Sequence, residues 1–520
     1  MSLSSIEFLL FLICALLCYY LVAPRFQWCV LLLASAAFYC ISSRSAAAYL
    51  CITILLTYGS ALLLQRIGQQ EKCALSAAER EQLNAVKQSW AKKKRTALKA
   101  ALTVNFFTLF LFKYFNWLLS LTNSALARAG AAVSFRPLSL LLPLGISFYI
   151  FQTSGYLLDV YRGKITPERN LFKYALFVSY FPQIVQGPIN RFDKLQSQLL
   201  AQHRFRAENI RDGIELMIWG MLKKAIVADR LAPAVSELYT NYSAYNGTVV
   251  FFGAALYCLQ LYCDFSGGID LVRGASTLFD IELAENFRRP YFSKSVDEFW
   301  RRWHMSLGEW MKDYVFYPLA LSKGMTRLSK KARKHLGGRI GKLVAPCVST
   351  VVVFLLVGIW QGPGGQNIAY GLWNGLIMSA SMLIAPLRAE KQDSRARDVF
   401  MVLHTCCLVT IGRFFSNSAS LMSALGMLRH SVTACIWNLS LQSFLSFGLT
   451  AEDYIILLFA CCVLLYVSLR QERGVRIRQA LAEKPLPVQF AVLFFVVFTL
   501  LAAVYLNSGY TGIAYVYENV

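Results

Sequence analysis

Residues 323–360 read KGMTRLSKKARKHLGGRIGKLVAPCVSTVVVFLLVGIW. The first part, Lys323–Lys342, carries eight Lys and Arg and no acid, whereas Ala345–Trp360 carries no charge at all. A membrane-crossing helix needs about 20 apolar residues, with a range of about 17–25. Lys and Arg collect in the loops on its cytoplasmic side. A polybasic stretch running straight into an uncharged one is therefore the signature of membrane topology, and it predicts an all-α fold.

The same alternation extends in both directions. The candidate membrane segments are Leu3–Val22, Phe26–Ile41, Ala46–Leu64, Leu98–Leu119, Leu138–Val160, Phe172–Ile184, Ile214–Val227, Val249–Leu271, Ala345–Trp360, Ile368–Ala385, Val399–Phe415, Tyr454–Leu469 and Val488–Leu506. They predict a polytopic integral membrane protein with about 11–13 membrane helices. Several segments are too short to cross alone. Those are expected to be tilted, re-entrant or buried around a central polar cavity, because irregular backbone at membrane depth survives only inside protein or beside water. Three more basic stretches, Arg66–Lys99 (with Lys92, Lys93, Lys94 and Arg95), Arg388–Arg397 and Arg470–Arg478, are expected to face the cytoplasm with Lys323–Lys342. Three apolar helices precede the first of them, so the amino terminus is expected outside. No small-residue cleavage site follows Phe8–Val22, which reads as a retained helix.

Composition supports this reading. Of 520 residues, 56% are hydrophobic and 16% charged, against about 25% charged in soluble domains. This excludes a disordered chain, a collagen-like fibre and an ordinary cytosolic enzyme. The net charge of +23 lies in clusters between apolar runs and reads as topology, with no nucleic-acid partner. Many of the 14 cysteines, among them Cys14, Cys18, Cys258, Cys406, Cys407, Cys461 and Cys462, lie within apolar runs and behave as small hydrophobes. No CxxC pair occurs, and His203, His335, His404 and His430 lack zinc-ligand spacing, so neither a disulfide framework nor a bound metal is expected.

Ionisable residues at membrane depth are costly, which makes each a functional candidate. In Tyr262–Asp270, Asp264 and Asp270 flank a Gly pair. They either line a polar pocket or pair with Arg273, Arg288 or Arg289. Phe299–Trp310 reads as one helix, with Trp303, Leu307 and Trp310 on one face, Trp300 extending it, and Arg301 one turn before His304. A His with a near-neutral pKa can take a proton from a hydroxyl; by spacing alone a lone His is more often a structural residue. Gly358–Gly365 and Tyr370–Gly375 read as a turn between apolar helices or as backbone brought close to a ligand. Gln361 and Asn374 supply hydrogen bonds there, not acid–base chemistry. Phe181–Arg191, broken by Pro and Gly, reads as a bend at the membrane edge. No Walker A loop, GxSxG elbow, HExxH or Rossmann glycine pattern is present.

Taken together, these segments resemble the membrane-bound O-acyltransferase family, in its bacterial branch of alginate O-acetylation and teichoic-acid D-alanylation proteins. The residues that carry the resemblance are Phe181-Pro182-Gln183 with Gly187-Pro188 and Arg191; Tyr262, Asp264–Gly267 and Asp270; Asn286-Phe287 with Pro290-Tyr291; and Phe299–His304 running to Ser306-Leu307, Trp310, Asp313-Tyr314 and Tyr317-Pro318. Gly358–Trp360 with Gly362, Tyr370-Gly371 before Gly375, and Gly412–Phe415 with Ser420-Leu421 continue it. The resemblance spans about residues 1–510.

It implies an acyltransferase in the bacterial cytoplasmic membrane. Such an enzyme moves an acyl group, in this branch acetyl, from a cytoplasmic thioester (acetyl-CoA or an acyl carrier) toward a hydroxyl of a cell-surface polysaccharide. It works with an extracytoplasmic acyltransferase partner and holds no bound cofactor. It implies N-terminal helices with a basic loop over 1–97, a catalytic core over 98–415 and C-terminal helices over 416–520. It carries His304 over as the catalytic residue, in a cavity shared with Asp264, Asn374 and Gln361, with Arg301 or Arg302 on a donor phosphate or on Glu298.

The family places a His after the Trp of the Gly-Ile-Trp segment, where this sequence has Gln361. A Gln amide cannot act as a general base. Three readings follow: a working enzyme in which Gln361 orients substrate; a weak or inactive member acting as acyl channel or scaffold; or a deliberate or erroneous substitution. D-alanyl transfer to teichoic acid and transport without covalent chemistry are the rival activities.

Overall fold

The computed structural model describes residues 1, 3–43, 46–131, 133–138, 143–384, 394–434, 448–506 and 515. Positions 139–142 and 385 of the expected membrane segments, and 388–393 of one basic cluster, lie outside the described residues. Among the described residues the elements are helical, with a single isolated bridge between Phe287 and Trp303. The chain divides into two units, residues 1–213 with 275–284, and residues 214–274 with 285–516.

The first unit contains α1 (Ile6–Leu21), α2 (Gln27–Ser42), α3 (Ala47–Ala77), α4 (Leu83–Arg128), α5 (Ile146–Tyr161) and α6 (Leu171–Ser179). With 31 and 46 residues, α3 and α4 run about 46 and 69 Å at 1.5 Å per residue, well beyond the roughly 30 Å hydrocarbon layer. The excess is the basic stretch Arg66–Lys99. It is not a loop: apart from a short turn it extends both helices, as its Ala, Leu, Lys, Gln and Glu content favours. Buried polar contacts tie the apolar halves together. The Asn105 amide donates to Thr153 Oγ1 at 3.0 Å and Ser154 Oγ at 2.9 Å, and Tyr174 Oη donates to Thr57 Oγ1 at 2.8 Å. Interhelical bonds of this kind contribute about 0.6–2 kcal/mol each within a membrane. Phe181–Arg191 does bend, through a one-turn helix Phe181–Ile184 held by Asn190 Nδ2 on Gln183 Oε1 at 2.9 Å.

Helix α7 (Ala207–Leu222) leads into the second unit. There follow α8 (Asp229–Thr240), α9 (Gly247–Thr277), α10 (Val296–Arg302), α11 (Met305–Met311), α12 (Lys323–Gly341), α13 (Val344–Gln361), α14 (Gly365–Ile384), α15 (Arg395–Asn417), α16 (Leu421–Thr433), α17 (Ala451–Glu472) and α18 (Leu486–Leu506). The polybasic Lys323–Lys342 is itself helical, capped by Ser322 and broken at Gly337, where φ is 75°. Helices α13 and α14 form a tight hairpin. A Cβ on Gly371 would lie 2.4 Å from the Phe354 carbonyl oxygen, and one on Gly375 would lie 2.9 Å from Val351 Cα. This Gly-xxx-Gly spacing lets the two backbones touch.

Among the described residues seven helices are long and apolar enough to cross a membrane: Pro24–Ser42, α3, α4, α9, α13, α15 and α17. Ile6–Leu21 and Leu486–Ala502 are apolar but shorter. The remaining expected segments form shorter or less apolar helices. One of them, Phe172–Ile184, is buried in protein from 176 onward.

Candidate active site

The expected single helix over Phe299–Trp310 is broken at its centre. Ser295 caps α10 by accepting from the Glu298 N–H at 3.1 Å, and the helix stops at Arg302. Trp303 is extended and bridges Phe287; His304 is left-handed, with φ 45° and ψ 53°; α11 begins at Met305. The Trp303 side chain therefore does not share a helical face with Leu307 and Trp310. A left-handed conformation at a non-glycine residue costs about 1–3 kcal/mol and persists where its surroundings over-determine it. Here the Arg288 N–H donates to the Arg302 carbonyl at 2.9 Å, and the Met305 N–H donates to the Asn286 carbonyl at 3.0 Å. The strand-like segment at Asn286–Arg288 thus clamps both sides of His304.

The Asn286 side chain completes the clamp. Its Oδ1 accepts from the Ser306 N–H at 3.0 Å, from Ser306 Oγ at 2.9 Å and from His304 Nδ1 at 3.2 Å. A backbone N–H is always a donor, so the Asn286 atom it meets is the oxygen. His304 Nδ1 must then carry a hydrogen, which leaves Nε2 as the basic nitrogen. The ring is buried, 4.8 Å edge-on to Phe265 and 6.2 Å from Trp360. It lies between α10 and α11, outside the seven long apolar helices, and burial pushes its pKa down, favouring the neutral form.

The other predicted site residues fall into different surroundings. Gln361 ends α13 directly after Trp360, the residue whose ring approaches His304. Asn374 is buried and its amide donates to the Tyr370 carbonyl one turn earlier at 2.8 Å. Arg301 is exposed and pairs with Asp297 on its own helix. Arg302 pairs with Glu298 at 2.6 Å, one of the two alternatives the sequence offered, and with Glu472 of α17 at 2.9 Å. Asp264 and Asp270 do pair with cations, but chiefly with two lysines that sequence reasoning passed over. Lys224 Nζ is 2.7 Å from Asp264 and 2.8 Å from Asp229, all three buried, while Lys223 Nζ meets Asp270 at 2.6 Å and Ser266 Oγ at 2.9 Å. Arg273, one of the three arginines expected, stands 3.8 Å from Asp270. A contact between Gly220 and Gly267, where either Cβ would strike the other's carbonyl at 2.5–2.7 Å, brings the two helices this close. Two lysines inside the apolar run Ile214–Val227 were the available signal.

Arg413 is a further buried cation. It is buried on α15, 5.1 Å over the Trp303 ring and 5.8 Å over that of Tyr370, and its Nη1 donates to Tyr370 Oη at 3.2 Å. It anchors the indole next to His304 by cation–π contact.

A buried neutral imidazole with a defined basic nitrogen, set among apolar helices, is unprotonated and so available to accept a proton from a hydroxyl. Comparison with known proteins bears on the reaction. The model of the membrane-bound O-acyltransferase family matches residues 84–421. The chain belongs to this family. It is 29% identical over 469 residues to a probable alginate O-acetylase of Azotobacter vinelandii, covering 90% of this chain and 85% of that protein. It is 28% identical over 365 residues to a peptidoglycan O-acetyltransferase of Helicobacter pylori, covering 65% of each. It is 29% identical over 253 residues to a teichoic acid D-alanyltransferase of Bacillus subtilis, covering 47% of this chain and 60% of that protein. The chain is a multi-pass membrane acyltransferase.

Proposed function

We propose that this acyltransferase moves an acetyl group from a cytoplasmic thioester across the bacterial cytoplasmic membrane toward a hydroxyl of a cell-surface polysaccharide, passing it first to an acceptor hydroxyl at this site, and that an extracytoplasmic acyltransferase completes the transfer to the polymer. His304 Nε2 takes the proton of the attacking hydroxyl. The hydroxyl oxygen bonds to the acyl carbon, the carbon–sulfur bond breaks, and the departing thiolate takes up the proton. Gln361, adjacent to Trp360, orients the substrate by hydrogen bonding. Asp264 and Arg302 tie neighbouring helices together through the partners described above, Asn374 bonds within its own helix, and Arg301 lies on the exposed side of α10.

The observation that carries this reading is the buried His304 ring, held by Asn286 with Nε2 as its basic nitrogen. Removing general-base assistance costs about 10²–10⁴-fold. The test releases ester-linked acyl groups from surface polymers with mild base and identifies them by NMR. Cells lacking the gene are compared with cells restored by the native chain, by His304→Ala or by Gln361→His. Acetate restored by the native chain and lost in His304→Ala is the expected result. Full acylation in His304→Ala overturns the mechanism. Released D-alanine instead of acetate assigns the aminoacyl reaction, and rescue by Gln361→His alone assigns an inactive member acting as channel or scaffold.

A further inference from the structure

We propose that Asn286 is the positioning residue of the reaction, its side-chain oxygen holding the His304 ring by Nδ1–H and so fixing the tautomer whose Nε2 receives the hydroxyl proton. This rests on the reading of His304 as the base. Three features of the geometry carry it. Asn286 is fully buried, at 0% exposure, so its amide cannot exchange this role with water. Its rotation is decided by the Ser306 N–H, a donor that no flip can satisfy with the nitrogen end. Its backbone is joined to the same segment, through the Met305 N–H on the Asn286 carbonyl and the bridge of Phe287 with Trp303. Holding the second ring nitrogen is the usual means of setting which nitrogen of a histidine does the chemistry.

An amide in this place, rather than a carboxylate, leaves the imidazolium without an anionic partner at Nδ1. The ring therefore returns its proton readily to the departing thiolate. The charged groups on the elements around His304 are paired or exposed. Beside Asn286, Glu285 pairs with Arg288 and Arg289 with Glu472. On α9, Asp264 is held by Lys224, and Asp270 by Lys223 with Arg273 nearby; Tyr262 lies against Trp303. On α10, Asp297 pairs with Arg301, and Glu298 with Arg302, which also meets Glu472 of α17. On α11, Glu309 is exposed. On α15, Arg413 lies over Trp303.

The test uses the full-length protein in detergent micelles, with ¹⁵N-labelled histidine. His304 is one of five histidines, and its ring resonances are identified by their loss in His304→Gln. The native chain shows the Nδ1-protonated tautomer, and Asn286→Ala shifts it toward the Nε2-protonated form. An unchanged tautomer in Asn286→Ala overturns the proposal. Asn286→Asp keeps the contact but adds a negative partner, so the His304 titration moves to higher pH; no upward movement also overturns the proposal. This second variant decides the matter if Asn286→Ala fails to fold. In cells, Asn286→Ala lowers ester-linked acyl groups about 10²-fold or more, the range for loss of a correctly presented base. Acylation that survives in His304→Ala refutes the base itself. Acylation lost in His304→Ala while Asn286→Ala keeps the native tautomer refutes only the role of Asn286.

Discussion

Lys224→Met is the most informative single substitution for stability. The ammonium of Lys224 sits 2.7 Å from Asp264 and 2.8 Å from Asp229, and the three side chains are 1%, 3% and 2% exposed. Methionine fills nearly the same volume, so packing is preserved while both carboxylates lose this cation. Breaking a buried pair from one side costs about 3–5 kcal/mol. At 1.4 kcal/mol per factor of ten, this is a fall of about 10²–10³·⁵ in the folded ratio, a large part of the 5–15 kcal/mol that holds a typical protein folded. Asp264→Asn is milder: the amide oxygen still accepts from Lys224, which keeps Asp229, and the expected cost is about 1–2 kcal/mol. Neutralising both carboxylates as well, in Lys224→Met/Asp229→Asn/Asp264→Asn, recovers most of the loss. The assay is the temperature at which half the detergent-solubilised chain survives as a monodisperse peak in size-exclusion chromatography. If Lys224→Met melts with Asp264→Asn, or the triple variant is no better than Lys224→Met, uncompensated buried charge is not what Lys224 prevents.

Replacing Gly371 by Leu forces apart backbones that already exclude a Cβ at 2.4 Å; overpacking of about 1–3 kcal/mol or more lowers the same melting midpoint, and an unaltered midpoint would deny the tight hairpin. Arg301→Met changes stability by about 0.5 kcal/mol or less because its pair with Asp297 is exposed. Arg302→Met, which removes bonds to Glu298 and Glu472, costs more than Arg301→Met, and a comparison of the two midpoints checks this order. Although burial raises the Asp280 pKa, hydrogen bonds from His203 and Asn209 outweigh it and hold the carboxyl below its ordinary value. A depressed carboxylate contributes stability that is complete above its unfolded pKa of about 3.9 and is lost as pH falls through the folded value. Melting midpoints should therefore begin to drop as pH falls below about 5 and go on dropping below the ordinary carboxylate range, and Asp280→Asn should flatten that slope.

The membrane class was legible because apolar length and clustered charge are one-dimensional properties. The seven long spans all coincide with apolar runs visible in the sequence. Charge clusters indicate a side of the membrane but not a conformation, which is why Arg66–Lys99 reads as a loop and folds as helix. Phe299–Trp310 carries a helical apolar stripe, and no local residue announces the break at Trp303-His304. The break is imposed by Asn286–Arg288, eighteen residues before His304 in the case of Asn286, and only folding reveals that pairing. Asp264 and Asp270 were recognisable as buried acids, yet their main partners come from forty or more residues away. Nearby arginines were the closest cations in sequence but not in space. Short apolar runs such as Phe172–Ile184 resemble membrane segments because residues buried in protein and residues buried in lipid share a composition.

The charge cluster around Lys223 and Lys224 also sets a schedule for synthesis. Both lysines leave the ribosome before their partners on α9, Lys224 forty residues ahead of Asp264, which at 5–20 residues per second is about 2–8 s. Until then only Asp229, five residues on in the chain, is available to Lys224. Charged side chains are costly at membrane depth, so the expected order is that the segment with these two lysines pairs with α9 before either is released into lipid. The close approach of Gly220 and Gly267 leaves room for that pairing.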